Sequence, residues 1–388
     1  MLQMTDLNLH EKKVLIREDF NVPIHNNQIT NQARLRAAVP TIQHALQQNA
    51  AVILLSHLGR PTEGEYQEKY SLAPVATLLA EILSQPVKFI QNWQEGVAVA
   101  PGEVALCENI RFVKGETEND IQLAKKLASL CDIFVMDAFA TAHRAHASTA
   151  GVAYYAPVAC AGPLLMQEIT ELDKIRKNPS RPLVAVVGGS KVSTKFELLQ
   201  SLLEQVDCLI VGGGIANTFL AAQGYPVADS LFEVDFLRQA QALLDTAHQQ
   251  KKQLPLPIDV VVAETLDNTA KAVVKPISEV RGKEKILDIG PQTIERYQLY
   301  LKSAKSILWN GPVGVFEIPA FAKGTQAVAQ AIADSNAYSV AGGGDTIAAI
   351  EQFAVQQSIS YISTGGGAFL EYIQGIALPA LEMLRQRS

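Results

Sequence analysis

Two lysines follow a glycine turn, and their type and spacing suit the binding of a polyphosphate. Residues 183–187 are apolar and rich in valine, which predicts a strand buried on both faces. Two glycines and Ser190 follow, then Lys191 and, four residues on, Lys195, where helical spacing begins. Such a strand, turn and helix start direct backbone N–H groups and a positive dipole end at one point. An anion site is one interpretation, and a solvated helix start with two surface lysines is the other.

Four further glycine clusters follow apolar stretches, and we expect all five junctions to line one edge of one sheet. They lie at 211–214, 309–317, 342–346 and 364–367. Glycine lets a backbone approach a ligand closely, so the clusters indicate a phosphate site. Asp345 is a candidate magnesium ligand, either directly or through water. The chain lacks both the Walker A loop and Gly-x-Gly-x-x-Gly, which weighs against a nicotinamide-dependent dehydrogenase.

Polar side chains follow four predicted strands in the first half of the chain, at 14–17, 51–55, 104–107 and 133–136. In chain order they are Arg17, Asp19 and Asn21; His57 and Arg60; Arg111; and His143, Arg144 and His146. Ligands of parallel α/β sheets bind at the carboxyl ends of strands, so these groups should converge. Guanidinium groups suit phosphates and carboxylates, which predicts an anion site. No third metal ligand accompanies the two histidines, which we interpret as pocket or loop residues.

The organisation of the chain is that of an α/β protein with two domains. Strands alternate with helical patterns, which predicts parallel sheets. A chain of 388 residues is longer than a single hydrophobic core usually accommodates, which predicts two domains. Helices are predicted at 34–48, where Pro40 is a kink or the true start, at 71–83, capped by Ser71, and at 119–130. A helix at 164–178 is interpreted as an interdomain connector, with one more covering helix as the alternative.

Composition narrows the classes of protein that remain. A net charge of −6 argues against general binding of nucleic acid or anionic membranes. Four scattered cysteines are typical of core residues in a reducing compartment. The N-terminal residues show no apolar segment of a secretory signal, so we expect a cytoplasmic protein. A two-lobed solute-binding protein, which is normally exported, would also explain an anion site. The longest apolar window, 151–166, is too short to span a bilayer.

Taken together, the motifs resemble those of the phosphoglycerate kinase family along essentially the whole chain. The motifs that carry the resemblance are Arg17 to Pro23, Ser56 to Pro61, Glu108 to Phe112, Asp137 to Arg144, Gly188 to Lys195, Trp309 to Glu317, Gly342 to Thr346 and Ser363 to Ala368. The loop at 62–66 resembles the bacterial branch. One departure is Ala140, where the family usually has glycine. Alanine disfavours a positive φ, so either the position has an ordinary conformation or the loop shifts.

The resemblance implies two Rossmann-like, doubly wound parallel-sheet domains that face each other across a cleft. It implies a phosphoglycerate-binding domain at 1–163 with 371–388 packed onto it, a connector helix at 164–181, and a nucleotide-binding domain at 182–370. The implied function is reversible transfer of a phosphoryl group between 1,3-bisphosphoglycerate and ADP, in glycolysis and gluconeogenesis. It further implies a cytoplasmic monomer that uses Mg²⁺ and bends at a hinge near the connector.

The resemblance also implies roles for individual residues. Phosphoglycerate would be bound by Asp19, Phe20, Asn21, Arg34, His57, Leu58, Gly59, Arg60, Arg111 and Arg144. The nucleotide would be bound by Lys195, Gly212, Gly213, Asn310, Glu317, Gly343, Gly344, Asp345 and Thr346, with Glu317 on the ribose and Asp345 on magnesium. The transferred phosphoryl group would be stabilised by Arg34, Lys191, Gly366 and Gly367. Because the acceptor carboxylate is already ionised at neutral pH, this chemistry requires no general base.

Overall fold

A parallel sheet of six strands organises the N-terminal half of the chain. The computed structural model describes residues 1–25 and 28–387. The strands of this half are β1 (Lys13–Arg17), β2 (Ile24–His25), β3 (Gln28–Ile29), β4 (Ala51–Leu55), β5 (Val87–Ile90), β6 (Val104–Cys107), β7 (Ile133–Met136) and β8 (Val158–Ala161). The sheet order is β5-β6-β4-β1-β7-β8, and β2 and β3 form a separate hairpin. Strands are added first on one side of β1 and then on the other, so β1 marks the switch point of a doubly wound sheet.

Four of the five helices that the structure describes in this half begin and end close to the predicted positions, and the short α4 was not predicted. They are α1 (Ala33–Gln47), α2 (Ala73–Leu83), α3 (Ile121–Ala128), α4 (Val152–Tyr155) and α5 (Pro163–Arg176). The suggestion that α1 starts at Pro40 is wrong, because Pro40 lies inside the helix. Ser71 is not the N-cap of α2, which is Leu72, although the Ser71 hydroxyl accepts a hydrogen bond from the N–H of Ala73 at 3.2 Å.

The second half contains a five-stranded parallel sheet and a small antiparallel sheet. Its strands are β9 (Leu183–Gly189), β10 (Cys208–Gly212), β11 (Asp259–Ala263), β12 (Val273–Pro276), β13 (Lys285–Ile289), β14 (Ser306–Asn310), β15 (Tyr338–Gly342) and β16 (Tyr361–Ser363). The parallel sheet has the order β10-β9-β14-β15-β16, and the antiparallel sheet has the order β12-β11-β13. The predicted α/β class with two parallel sheets is therefore confirmed.

The helices of this half flank these strands, except for the last, which packs in unit 1, and most of them begin directly at a glycine or proline. They are α6 (Phe196–Gln205), α7 (Gly213–Ala222), α8 (Leu237–Gln249), α9 (Pro291–Ser303), α10 (Lys323–Ala333), α11 (Gly344–Gln352), α12 (Gly367–Gln374) and α13 (Pro379–Gln386). Helices α7, α11 and α12 each start at the carboxyl end of a strand of the parallel sheet. Their first N–H groups therefore lie at the same edge as the glycine clusters. None of the helices in the described ranges is both long and apolar enough to cross a membrane.

The chain divides into two compact units. Unit 1 comprises Met1–Thr170 and Ile376–Ser388, and unit 2 comprises Glu171–Gly375, so the boundary falls within α5. The sequence pattern left the packing of the last helix open. In unit 1, the N–H of Ala380 in α13 donates to the carbonyl oxygen of Ala142 at 3.1 Å. The guanidinium of Arg387 donates to the carbonyl oxygen of Ala156 at 2.7 Å, which anchors the chain end in the same unit.

Two buried carboxyl groups lie where β1 and β7 end. The side chain of Glu18 is 1% exposed, and neither of its oxygens has a hydrogen-bond partner within the described ranges. Burial and then the neighbouring Asp137 raise the pKa of Glu18 well above its ordinary value. Asp137 accepts hydrogen bonds from Thr41 and from the N–H of Leu165, yet burial raises its pKa to about 6. The folded chain therefore favours the protonated form of both groups.

We expect Glu18→Gln to reduce the loss of stability that accompanies rising pH. Folding raises the pKa of Glu18, so its stabilising contribution is complete below the unfolded pKa of about 4.3 and is lost as the pH rises above it. Glutamine keeps the shape without ionising, so the variant should gain stability relative to the parent as the pH rises above about 5, by up to about 1.4 kcal/mol per pH unit until the folded pKa is reached. Urea titrations at several pH values measure this difference. The exposed Glu65→Gln is the control, and equal behaviour of the two variants would contradict the prediction.

Candidate functional site

The carboxyl edge of the first sheet brings together residues that follow β1 and β4 with a helix residue. The Arg34 guanidinium in α1 pairs with the Asp19 carboxylate at 2.7 Å and donates to the carbonyl oxygen of Asn21 at 3.0 Å. The side-chain oxygen of Asn21 accepts from the N–H of Gly59 at 2.9 Å. Arg111, which follows β6, donates to the carbonyl oxygen of Gly59 at 2.6 Å. The backbone of Gly59 therefore connects the loops after three strands.

Several arginines surround His57 at this edge. Burial lowers the pKa of His57 well below its ordinary value, and the charges of Arg17, Arg111, Arg144 and Arg34 lower it further. Burial together with Arg144 and Arg17 also lowers the pKa of Arg111 to about 10. Such mutual repulsion among cations shows that the predicted arginines do converge. A site of this kind favours an anion, which would relieve the repulsion.

Three of the residues predicted to bind the anion at this edge differ from the others in the exposure of their side chains. The side chains of Phe20 and Leu58 are buried in the hydrophobic core of unit 1, so only their backbones face the edge. Arg60 is exposed, and its charge acts on Arg111. The arginines of this edge thus range from fully buried to exposed.

A buried layer holds these arginines in place, and of its residues only Arg17 was predicted from the sequence. Arg17 is 1% exposed, donates to the hydroxyl of Ser148 at 3.0 Å and contacts Nδ1 of His57 at 3.2 Å. Ser148 donates in turn to the Glu116 carboxylate at 2.6 Å. Burial raises the pKa of Glu116, while Arg17 opposes that shift. A cation at the end of an otherwise apolar strand was a signal for Arg17, but Glu116 had no signal in the sequence.

The loop that contains the two histidines adopts an ordinary conformation. Nε of Arg144 donates to Nε2 of His143 at 3.2 Å, and His146 lies 3.7 Å from Glu116. Within residues 1–25 and 28–387, the structure contains no group of three or more His, Cys, Asp or Glu side chains placed to hold a metal. Ala140 lies in a single 3-10 turn and is not among the residues with positive φ. Of the two expectations for Ala140, an ordinary conformation or a shifted loop, the ordinary conformation is therefore correct.

The glycine clusters of unit 2 lie together at the carboxyl edge of the parallel sheet. All five follow strands that pair in parallel, which confirms the prediction that they share one edge. A Cβ atom on Gly188 would lie 1.7 Å from the carbonyl oxygen of Pro312. Gly213 has a φ of +64°, and its Cβ would lie 2.7 Å from the carbonyl oxygen of Gly189. Glycine is required at both positions because the strand ends approach so closely.

Lys195 is the buried cation of this edge. Its ammonium donates to the carbonyl oxygen of Gly188 at 2.6 Å and to the side-chain oxygen of Asn310 at 2.7 Å. Burial lowers its pKa to about 8, and the nearby Asp345 opposes that shift. The hydroxyl of Thr346 accepts from the N–H of Gly311 at 2.7 Å and so fixes the start of α11. The ammonium is therefore held in place before any ligand arrives.

A cavity of about 610 Å³ opens beside this lysine, within unit 2. Its volume is in the range of small-molecule sites. Its walls combine glycine backbone, apolar side chains and three carboxylates, and they include Gly213, Leu231, Val315, Asp229, Glu317 and Asp345. Asp345 belongs to the first turn of α11.

The remaining predicted residues of unit 2 lie at the same sheet edge. Gly212 ends β10, and Gly343, with a φ of +101°, precedes Gly344 at the start of α11. Gly366 has a φ of +55° and caps α12, whose first residue is Gly367. Lys191 is exposed in the turn between β9 and α6. None of these six residues lines the cavity.

Comparison with known proteins shows the same similarity over the whole chain. The family model described as phosphoglycerate kinase matches residues 4–376. The phosphoglycerate kinase of Coxiella burnetii is 58% identical over 385 residues, which covers 99% of this chain and 98% of that protein. The phosphoglycerate kinase of Legionella pneumophila strain Lens is 56% identical over 388 residues, with coverages of 100% and 98%.

Two solved structures are similar to this chain over nearly their full lengths. The structure of phosphoglycerate kinase from Coxiella burnetii has a TM-score of 0.96 at 57% identity, covering 100% of this chain and 99% of that one. The phosphoglycerate kinase structure from Pyrococcus horikoshii OT3 has a TM-score of 0.84 at 34% identity, with the same coverages.

We expect the affinity for ADP to fall as the pH rises above about 8. A bound phosphate favours the charged form of Lys195, so above its lowered pKa binding must take up a proton. The association constant should therefore fall by up to about tenfold per pH unit above that value. Calorimetric titrations between pH 6.5 and 9.5 measure it. Lys195→Arg, which stays charged, should bind with little dependence on pH, and equal slopes in the two proteins would contradict the prediction.

Proposed function

The chain belongs to the phosphoglycerate kinase family, and from that membership we propose which of its residues carry the reaction. It is a kinase that transfers a phosphoryl group between ATP and 3-phosphoglycerate in glycolysis. The membership removes both the dehydrogenase and the solute-binding alternatives. The observation that carries the assignment of residues is the contrast between an arginine-rich edge in unit 1 and a glycine-rich edge with one buried lysine in unit 2.

The reaction requires the protein to stabilise negative charge, and it does not require the protein to transfer a proton. The bond between the γ-phosphorus of ATP and its bridging oxygen breaks as a carboxylate oxygen of phosphoglycerate bonds to that phosphorus. The acceptor is ionised at neutral pH and ADP leaves as an anion, so no side chain needs to move a proton. The protein must hold two anions and stabilise charge on the oxygens of the transferred group.

We assign phosphoglycerate to the edge of unit 1. Arg60, Arg111 and Arg144 supply guanidinium groups for its phosphate and carboxylate, and the neutral His57 supplies a hydrogen bond. Asp19 is already paired with Arg34 at 2.7 Å, so it fixes that cation. Its other oxygen accepts from the N–H of Asn21 at 3.1 Å and keeps a lone pair for the substrate hydroxyl. Asn21 completes this set, and the backbones of residues 58–59 close it. The mutual repulsion of the arginines supports this assignment.

We assign the nucleotide to the cavity of unit 2. The apolar walls suit a base, Glu317 suits the ribose hydroxyls, and Lys195 suits a phosphate. The N–H groups at 343–346 add the positive end of a helix dipole.

Magnesium would be held by Asp345 together with phosphate oxygens. A single exposed carboxylate at the start of α11 fits an ion that retains several waters and arrives with its nucleotide. When bound, the ion supplies charge neutralisation between neighbouring phosphates. Lys195 and Asn310 hold the nucleotide side of the edge independently of it.

Four residues are proposed to act on the transferred phosphoryl group. Arg34 is the cation of unit 1, and Lys191 is the cation of unit 2. The N–H groups of Gly366 and Gly367 at the start of α12 add backbone donors, which the positive φ of Gly366 makes available.

We further propose a cytoplasmic monomer, and light scattering at micromolar concentration tests the assembly state.

An assay with ATP, Mg²⁺ and 3-phosphoglycerate tests the function. Formation of 1,3-bisphosphoglycerate is coupled to NADH oxidation by glyceraldehyde-3-phosphate dehydrogenase, and each component is omitted in turn. We expect turnover only in the complete mixture. Loss of ATP without 3-phosphoglycerate, or no turnover at all, would overturn the proposal.

Arg144→Ala should raise the KM for 3-phosphoglycerate by roughly ten- to hundredfold and leave the affinity for ADP nearly unchanged. The reason is that a charge-assisted contact to one substrate is lost, which is worth about 1.5–3 kcal/mol. Steady-state kinetics and ADP titration measure the two quantities. The exposed Arg238→Ala in unit 2 controls for the loss of one positive charge. Equal damage to both substrates would mean that the assignment of substrates to units is wrong.

Lys191→Ala should lower kcat by up to several hundredfold. A unit charge about 4 Å from the phosphoryl oxygens is worth roughly 4 kcal/mol at an effective dielectric near 20, and it acts most in the transition state. Steady-state kinetics with both substrates varied measure this effect, with the exposed Lys302→Ala as the matched control. A change confined to KM would make Lys191 a binding residue instead.

A further inference from the structure

The segment 230–233 forms part of the wall of the unit 2 cavity and is tied to the helix behind it. Leu231 and Phe232 line the cavity. The side-chain amide of Asn217 in α7 donates to the carbonyl oxygen of Leu231 at 3.1 Å. Two residues further, the N–H of Glu233 donates to the hydroxyl of Thr218 at 3.1 Å. The backbone of this segment is thus held independently of the Glu233 side chain.

The carboxylate of Glu233 reaches from this wall to the turn that carries Lys191. One oxygen accepts from the N–H of Ser193 at 2.7 Å, and the other accepts from the Ser193 hydroxyl at 2.6 Å. Burial works to raise the pKa of Glu233, but these bonds, a further bond from the N–H of Val192 and the charge of Lys191 lower it overall. The carboxylate is therefore ionised at neutral pH and binds both the N–H and the hydroxyl of Ser193, two residues after Lys191.

The other side of the same turn is closed by its own residues. The hydroxyl of Thr194 donates to the carbonyl oxygen of Lys191 at 3.0 Å, and the N–H of Lys195 donates to the carbonyl oxygen of Val192 at 2.8 Å. The backbone of Lys191 is thus fixed from within the turn and, through Glu233, from the cavity wall. The exposed Lys191 side chain has no comparable support of its own.

We propose that Glu233 is a positioning residue, which holds the Lys191 turn against the cavity wall and so couples an occupied base site to phosphoryl transfer. The inference rests on the proposed function of the two lysines and the cavity. Glu233 does not touch the substrate in this proposal, since both of its oxygens are occupied by the turn. A base that orders Leu231 and Phe232 also orders the next residue in the chain, and with it the lysine turn.

The first experiment separates positioning from binding. Glu233→Ala should lower kcat about tenfold and leave the dissociation constant for adenosine, measured by calorimetry, within about threefold of the parent value. Glu233→Gln, whose amide oxygen still accepts from Ser193, should recover part of the lost kcat. Asp235→Ala removes an exposed acidic group two residues away and should behave as the parent. An unchanged kcat, a loss confined to adenosine binding, or no recovery in the glutamine variant would each overturn the proposal.

The second experiment tests whether Glu233 acts through Lys191. In a double-mutant cycle, Glu233→Ala combined with Lys191→Ala should lower kcat no further than Lys191→Ala alone, because the positioned group is already absent. If instead the double variant lost the product of the two single-variant losses in kcat, the proposal would be overturned. Failure of the proposed function is recognised separately, because the parent protein would then show no turnover with ATP and 3-phosphoglycerate. A parent that turns over normally beside an unaffected Glu233→Ala variant refutes only the positioning role.

Discussion

Parallel pairing of strands is the constraint on which both edges depend. Every strand of a parallel sheet ends at the same edge, so the residues that follow the strands are forced together whatever their distance in the sequence. In unit 2 this constraint brings the ends of β9, β10 and β14 so close that a Cβ atom on Gly188 would lie 1.7 Å from a neighbouring carbonyl oxygen. Side chains are therefore absent where these strand ends meet, and backbone groups face that edge.

The two edges hold positive charge in different ways. In unit 1 the cations are guanidinium groups, which stay charged across the physiological range and are balanced only in part by Asp19 and the buried Glu116. In unit 2 the buried cation is Lys195, whose pKa of about 8 lies close to that range. Arginine suits a site that must bind one small anion in a fixed orientation, whereas a lysine held by Asn310 acts as a point charge beside backbone donors.

Much of this arrangement was predictable because buried parallel strands read as continuous apolar runs. The predicted strands at 51–55, 104–107 and 133–136 have the observed bounds, and the residues after them do converge. Strand β5 was missed because Lys88 interrupts its apolar run, and β8 because it lies inside the longer apolar window at 151–166. Strand β11 was missed because no glycine cluster follows it. The support beneath the arginines was not predictable either. Glu116 and Glu233 act on turns 32 and 40 residues away, and only the folded chain brings such partners together.

The return of the C-terminal segment to unit 1 has a consequence for how the protein is made. Unit 2 is one continuous stretch, whereas unit 1 includes Ile376–Ser388, with hydrogen bonds from Ala380 and Arg387 to residues of the first half. During synthesis, unit 1 emerges first but lacks this segment until all of unit 2 has left the ribosome. Unit 1 is therefore translated first, but its native contacts can be completed only after those of unit 2. Until then, the apolar residues of unit 1 that α13 covers remain exposed to solvent. Exposed apolar surface promotes aggregation, so chaperone binding should matter most during this interval.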